Sequence, residues 1–300
     1  MKICLLCSSE LSSTLWECIK CRWSAQYIDN VVSFSSNTTE FKKGYDPVWY
    51  GQLFHLENNN FWFIARNRLI QLLVKRHLPK NGSYLEVGCG TGFVLTMLEK
   101  TLQEWEIFAT ETQLEGIRFA CKRVTSNVKF FQMDACAIPF RNEFNAIGAY
   151  DVIEHICDDE TAIANIYAAL EPGGHFLLSV PQHMFLWSKY DEIGFHFRRY
   201  SAIELKEKLK AAGFEIVVST SFNSLLLPIV MFSRALTNRK AKYQIDVLDE
   251  LRLPVILNYF LSAVLFVEYI LIRLGIRFPF GSSLVIIAKK IRENSNSESG

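Results

Sequence analysis

Four of the eight cysteines fall within the first 21 residues, as Cys4-x2-Cys7 and Cys18-x2-Cys21. Two residues between thiols let one tight turn aim both sulfurs at a single ion, and two such turns complete a tetrahedral site. Four thiolates suit structural zinc and leave no open position for catalysis. Closely spaced glycines at Gly88-Cys89-Gly90-Thr91-Gly92 offer a second chemistry, because backbone there can approach a bound cofactor. Asp151-x-x-Glu154-His155, followed by Asp158 and Asp159, offers a third. On a helix beginning at Asp151, residues 151, 154 and 155 share one face. Two carboxylates and an imidazole so placed can hold a divalent ion, with His183 or His196 completing it, or supply a base near neutral pH. Failing either, they brace a pocket wall. The run His196-Phe197-Arg198-Arg199-Tyr200 suits a phosphate or carboxylate on a substrate, or serves as an ion-paired surface loop.

These groups need elements to hold them. From residue 83 the pattern alternates between strand and helix: an apolar run at 84–87, the glycine turn, then a helical stretch from Phe93 to about Glu104. Glu86 precedes the first glycine. The third glycine comes one residue early for the G-x-G-x-x-G of dinucleotide binders. A second strand at 107–111 ends in Glu111, and a third at 128–133 runs into Asp134-Ala135. A fourth at 144–150 ends in Tyr150, just before Asp151, and Leu170-Glu171-Pro172-Gly173-Gly174 opens a fifth. Residues 214–220 and 284–289 read as a sixth and seventh strand.

In these motifs and their order the chain resembles class I S-adenosylmethionine (SAM)-dependent methyltransferases, of the kind grouped as types 11, 12 and 23. The resemblance covers about residues 82–222 and the final strand. It implies an α/β, Rossmann-like seven-stranded sheet binding SAM through Glu86, Gly88, Gly90, Gly92, Glu111, Asp134, Ala135 and Tyr150. Glu111 would accept the ribose hydroxyls, and Asp134 would lie beside the adenine. Apolar residues at helical spacing from Phe61 (Trp62, Ala65, Leu69, Leu72, Leu73) form a helix that the resemblance places over the cofactor. Phe61, Trp62 and Phe63 would then cover it, with Arg66 toward the methionine carboxylate; otherwise the aromatics only pack the helix. The Asp151 array is similar to one in ubiquinone-pathway O-methyltransferases and small-RNA 2′-O-methyltransferases that carry magnesium or manganese. The same Glu-His pair is widespread in relatives with no evident metal, so a catalytic magnesium ranks behind His155 or Asp151 as proton acceptor. The His-x-Arg-Arg-Tyr loop resembles one bordering the acceptor pocket of bacterial relatives, implying acceptor roles for His196, Arg198, Arg199 and Tyr200. The paired cysteines resemble a compact zinc ribbon, too small to fold without its metal.

The chain thus divides into a ribbon (1–32), a linker (33–43), a helical lid (44–81), the cofactor core (82–222), a hydrophobic helical insertion (223–281), the last strand (282–291) and a polar tail (292–300). Half of the 300 residues are apolar and 21% are charged, which excludes a largely disordered chain or a coiled coil. Thirty-two basic residues balance 31 acidic ones, so no chain-wide grip on nucleic acid is expected. The N-terminus has no apolar signal segment, and with paired thiols this suggests a cytoplasmic protein. Mean hydropathy is +0.12, and the excess is local. Apolar stretches run over 225–236 and 253–274. The second is long enough to span a bilayer, but Asn258, Glu268 and Arg273 interrupt it. The flanking strands share a sheet, so an even number of crossings would be needed and the first stretch is too short. A hairpin that dips into the inner face of a membrane, roofs an apolar pocket or forms a dimer contact is expected instead.

The expected activity is methyl transfer to a small amphipathic or lipid-linked acceptor, with oxygen the favoured atom. A nucleic-acid methyltransferase using the ribbon as reader is the alternative. Against it, the fourth strand ends Gly148-Ala149-Tyr150-Asp151 rather than in an amine-methylating signature. A SAM-binding scaffold without turnover is a further alternative. The sequence leaves the oligomeric state open.

Overall fold

The computed structural model describes residues 1–11, 16–34, 47–125, 127–239, 246, 248–249 and 251–292. A hairpin of Gln26–Ile28 (β1) and Val31–Ser33 (β2) precedes two helices, Pro47–Leu56 (α1) and Phe61–His77 (α2). Strand and helix then alternate through Gly82–Val87 (β3), Phe93–Thr101 (α3), Trp105–Glu111 (β4), Leu114–Arg123 (α4), Lys129–Gln132 (β5), Phe144–Tyr150 (β6), Asp159–Ala169 (α5) and Leu170–Pro181 (β7). Lys189–Ile193 (α6), Ala202–Ala211 (α7) and Phe214–Phe222 (β8) follow, and Leu227–Arg239 (α8) and Val255–Arg273 (α9) separate β8 from Ser283–Lys290 (β9).

β3, β4 and β6 are buried over most of their length on both faces, as strands of a parallel sheet covered by helices must be. The described strands form one sheet in the order β1-β2-β5-β4-β3-β6-β7-β9-β8, with β9 antiparallel between β7 and β8. Connections run outward from β3 in both directions, so the carboxyl ends of β3 and β6 flank the point where strand order reverses. That is where doubly wound sheets bind ligands. The seven strands that the resemblance implies are all present.

The two extra strands come from the N-terminal segment. β2 pairs in parallel with β5, Val32 against Phe131 and Ser33 against Gln132, and the Ser33 hydroxyl donates to Gln132 Oε1 at 2.8 Å. Ser33 is therefore a strand residue of the main sheet and not the start of a linker; residues 35–46 lie outside the described ones. The hairpin turns through Asp29 and Asn30, both at positive φ, the pairing that matches strand twist in a two-residue loop. Trp16 then packs edge-on against Phe34, Phe131 and Phe140, with centroids 4.7–5.7 Å away.

α2 begins where Asn60 accepts the Trp62 N–H at 2.9 Å, and it buries Phe63, Ala65, Leu69, Ile70, Leu73 and Val74. α9 packs along it through Leu261, Leu265 and Ile272. No helix begins at Asp151. The residue sits at φ 56 with its N–H on the Ser179 carbonyl, and only a 3-10 turn, Ile153–His155, follows. The shared helical face expected for residues 151, 154 and 155 is accordingly absent, and α5 starts at Asp159.

Candidate active site

A cleft of about 1150 Å³ opens at the carboxyl ends of β3, β4, β5 and β6. At one end the β3–α3 turn presents backbone. Gly88 and Gly90 have φ of +69 and +52, a region that L side chains avoid. A Cβ at Gly88 would lie 2.6 Å from Val152, whereas one at Gly90 would meet nothing within 4 Å and would project into open space. Glu111, from the end of β4, accepts the N–H groups of Gly90 at 3.0 Å and Thr112 at 2.7 Å, which fixes its carboxylate at the cleft wall. Glu86 is buried with its Oε2 unpartnered. Burial, opposed by Arg66 and reinforced by Glu111, raises its carboxyl well above the ordinary range. An orphaned buried carboxylate, a fixed strand-end acid and an open glycine turn fit a cofactor bearing an ammonium group and a ribose, as SAM does.

Asp134, Ala135 and Tyr150 line the same cleft. Gly92 does not. It caps α3 at φ +78, and a Cβ there would come within 2.9 Å of Ala120 Cα, so its smallness serves helix packing. α1, α2 and the loop between them contribute Tyr50, Glu57, Phe61, Trp62, Phe63 and Arg66 to the wall. The Arg66 guanidinium lies over Trp62 and Phe63, with centroids 4.7 and 5.3 Å away, and forms an ion pair with Asp151. Ser179 also donates to Asp151 Oδ2 at 3.0 Å, so Asp151 is held by two partners. Glu57 accepts from the Thr91 hydroxyl and pairs with Arg123 at 2.9 Å, clamping the α1–α2 loop to the glycine turn.

The other end of the cleft is more mixed. His196 Nδ1 lies 3.0 Å from Asp191 Oδ1, which also accepts from Arg199 Nε at 2.7 Å. Burial would raise the Asp191 carboxyl, but the His196 hydrogen bond and the Arg199 and Arg234 charges outweigh it and hold it well below the usual carboxylate range. The His155 ring stands edge-on to His196 at 4.6 Å, and burial, aided by His196, pushes its imidazole down to about 3. Glu154 is buried with both carboxylate oxygens unpartnered, and burial with the nearby Asp151 charge raises it well above its ordinary value. Ligand atoms of Glu154, His155 and His196 lie within 4.8 Å of one another, so the three can hold an ion. This set replaces Asp151 with His196. His183 lies apart, its ring stacked on Phe185 and Phe280.

Of the four residues expected at the acceptor, His196 and Arg199 line the cleft. Arg198 and Tyr200 do not. Both bind Asp159 at 2.7 Å, and Tyr200 is fully buried, so they tie the loop to the start of α5. Asp191, Glu57 and Tyr50 are cleft residues that the sequence reading passed over. Asp191 had a signal, since it forms a capping box with Ser188 three residues earlier. At the N-terminus, Cys4 Sγ is 3.5 Å from Cys21 Sγ and Cys7 Sγ 3.5 Å from Cys18 Sγ. A tetrahedron with ~2.3 Å zinc–sulfur bonds has edges of roughly 3.8 Å, so the four thiols fit zinc.

The family model described as a methyltransferase domain matches residues 59–219, over half the chain. This protein belongs to the methyltransferase-domain family. Its relatives include a protein of Mycolicibacterium smegmatis named as a probable SAM-dependent methyltransferase, 27% identical over 54% of this chain and 62% of its own length. The O-methyltransferase cnsE of Penicillium expansum is 29% identical over 55% of this chain and 64% of its own. The chain thus spans less than two thirds of either relative. Among solved structures, a chain of the complex between the Haloferax volcanii Trm112 methyltransferase activator and a methyltransferase superposes with a TM-score of 0.56 and 17% identity, covering 82% of this chain and 97% of that one. Haemonchus contortus phosphoethanolamine N-methyltransferase 2, with SAM bound, gives 0.56 and 19%, covering 84% and 59%. At these identities the likeness concerns the fold, a class I methyltransferase sheet.

Proposed function

We propose that this protein is a SAM-dependent methyltransferase acting on a hydroxyl of a small amphipathic, lipid-linked acceptor. The observation that carries the reading is one cleft with two unlike ends. Glu86, the Gly88–Gly90 turn and Glu111 suit the ammonium and ribose of SAM. Beyond them, the anchored His196 and Arg199 line the same cleft as the apolar side chains of Val230 and Leu251. SAM, when bound, supplies an electrophilic methyl group on its sulfonium. The protein's part is placement: Arg66 and the lid aromatics wall off water, and the polar corner orients the acceptor. Asp191 holds one nitrogen of His196, leaving the other to take the hydroxyl proton, the logic by which a carboxylate orients a catalytic histidine. His155, kept neutral beside it, and Asp151, held by Arg66, complete that wall. The naming of the Penicillium relative as an O-methyltransferase agrees with oxygen as acceptor. Cys4, Cys7, Cys18 and Cys21 would hold structural zinc.

Incubation with methyl-labelled SAM and a panel of lipid-linked sugars, quinone precursors and RNA tests the reading. Label in the organic-extractable fraction, lost in His196→Ala and Glu111→Ala, is expected. Label in RNA alone, or none in protein that still binds S-adenosylhomocysteine, would defeat the acceptor assignment.

A second reading rests on the Glu154, His155 and His196 cluster. Two imidazoles and one carboxylate suit a transition-metal ion better than magnesium, and such an ion would orient the acceptor oxygen. Manganese titration followed by electron paramagnetic resonance separates the two. Stoichiometric binding abolished by Glu154→Gln supports the ion, and its absence leaves His196 as the base.

A further inference from the structure

α8 and α9 are surface helices whose polarity runs the wrong way round. Several of their polar groups point inward. Glu268 of α9 is fully buried and accepts the N–H groups of Ser224 at 2.8 Å and Leu225 at 2.9 Å, just ahead of α8. Asn258 accepts the Phe61 N–H at 2.9 Å and donates to the Asn59 carbonyl at 2.8 Å. On α8, Arg234 turns toward the cleft and donates to Ser188 Oγ at 2.7 Å. Of the residues that interrupt the apolar run in the sequence, Asn258 and Glu268 are therefore spent on internal contacts, and Arg273 stays exposed. What faces outward is Ile229, Phe232 (68% exposed) and Leu236 on α8, with Ile256 (86%), Phe260 (58%) and Val267 on α9. Soluble monomers rarely expose apolar side chains so densely without a partner.

Charge identifies the partner. Exposed Arg239 ends α8, and exposed Arg273 and Arg277 lie at the end of α9. Among the described residues no acid forms an ion pair with them. The described acids of this segment are engaged elsewhere: Asp246 and Asp249 by Arg252, at 2.8 and 3.5 Å, and Glu268 in the interior. An apolar face with a cationic rim complements a bilayer carrying anionic headgroups, which attract basic residues near the surface. A second copy docked through the same face would offer these arginines none of the segment's described acids, which are engaged elsewhere. α9 is long and apolar enough to cross a membrane. One side of it is nevertheless committed to α2 through Leu261, Leu265 and Ile272, so it cannot leave the domain to span.

We propose that the outward face of α8 and α9 docks this protein on an anionic lipid surface, with both helices lying in the interface plane. The inner side of α8, through Val230, and Leu251 just ahead of α9 line the cleft, so the docked helices border the acceptor end. This deepens the lipid-linked acceptor reading and rests on it for the purpose of docking, though the docking itself is testable alone.

Flotation of the full chain with phosphatidylcholine vesicles, with and without phosphatidylglycerol, is the test, alongside S-adenosylhomocysteine titration of the same samples. Wild type should float with the anionic vesicles and release at high salt. Phe232→Asp with Phe260→Asp should cut flotation at least about tenfold, and Arg273→Gln with Arg277→Gln should remove the preference for phosphatidylglycerol. Both variants should keep wild-type affinity for S-adenosylhomocysteine, showing that the fold is intact. Wild type that stays unbound, or aspartate variants that float as well as wild type, would overturn docking. So would a wild-type dimer in gel filtration that the aspartate pair dissociates, because the face would then be a subunit contact. Docking with no lipid-linked product would instead leave the surface standing and remove the acceptor.

Discussion

Glu111 concentrates the cofactor argument in one side chain. It takes the Gly90 and Thr112 N–H groups and stays at the cleft wall, so loss of its carboxylate would remove the proposed ribose acceptor and loosen the turn together. Glu111→Ala should weaken S-adenosylhomocysteine binding about 100-fold, near 2.7 kcal/mol, the scale of one or two hydrogen bonds to a charged group. Unchanged affinity by calorimetry would move the ribose elsewhere. His155 makes a separate prediction in pH. Burial, with His196 beside it, holds its folded pKa at about 3, against about 6.5 in an unfolded chain. The unfolded state therefore takes up the proton first as pH falls. Stability from this group is complete above about pH 6.5 and drains away from there down toward pH 3. Because the ring is not wholly shielded, roughly 1–2 kcal/mol should be lost between pH 7 and pH 5. Urea melts of wild type and His155→Phe measure the difference, which isolates this group from Glu154, whose raised pKa acts with the opposite sign. Parallel curves for the two proteins would refute it.

The elements that carry the site explain what could be read in advance and what could not. Strand-end acids and the glycine turn are local features. A strand announces itself by an apolar run, and the place of Glu86, Glu111, Asp134 and Tyr150 at the carboxyl ends, along the cleft, was legible for that reason. Asp191 with His196, Glu57 with Thr91 and Arg66 with Asp151 were not all equally so. The first pair is five residues apart and carries a capping signal. The other two join residues 34 and 85 positions apart, and no spacing rule reaches that far. Arg198 and Tyr200 misled because an Arg-Arg-Tyr run reads as a ligand site until Asp159 is seen to occupy both. α9 is the converse case: Asn258 and Glu268 look like breaks in a membrane segment but are ties to the fold. Glu268→Ala should therefore strand the Ser224 and Leu225 N–H groups and cost about 2–3 kcal/mol of stability. Asn258→Ala, which frees only the junction with the lid, should cost about 1 kcal/mol and speed hydrogen exchange at the Phe61 amide. Equal effects from the two would contradict the burial difference between them.

For the molecule as a whole, the N-terminal segment and the methyltransferase core share one sheet and one hydrophobic cluster. β2 extends the main sheet beside β5, and the Gln132 side chain that accepts from Ser33 also donates to the Thr112 carbonyl at 2.8 Å, next to Glu111. Cys4, Cys18, Trp16 and Phe34 share a hydrophobic cluster with Phe131, Met133 and Ala135, the strand and loop that lead to Asp134 at the cleft wall. Two independent units would melt twice, with the small one lost first when its metal is removed. A shared core and a shared sheet edge predict one transition instead. Calorimetry of the zinc-loaded protein should show a single peak. Stripping the metal with chelator, or Cys18→Ser, should shift that whole peak downward rather than split off a low-temperature shoulder, because the folding energy of a four-thiolate zinc site then stabilises the entire sheet. The same treatment should weaken S-adenosylhomocysteine binding several-fold with Glu111 intact, since Gln132 and the 133–135 loop lose their outer brace. A separate ribbon transition, with cofactor affinity indifferent to the metal, would show the N-terminal segment to be an appendage, and its role would have to be sought in a partner rather than in the cleft.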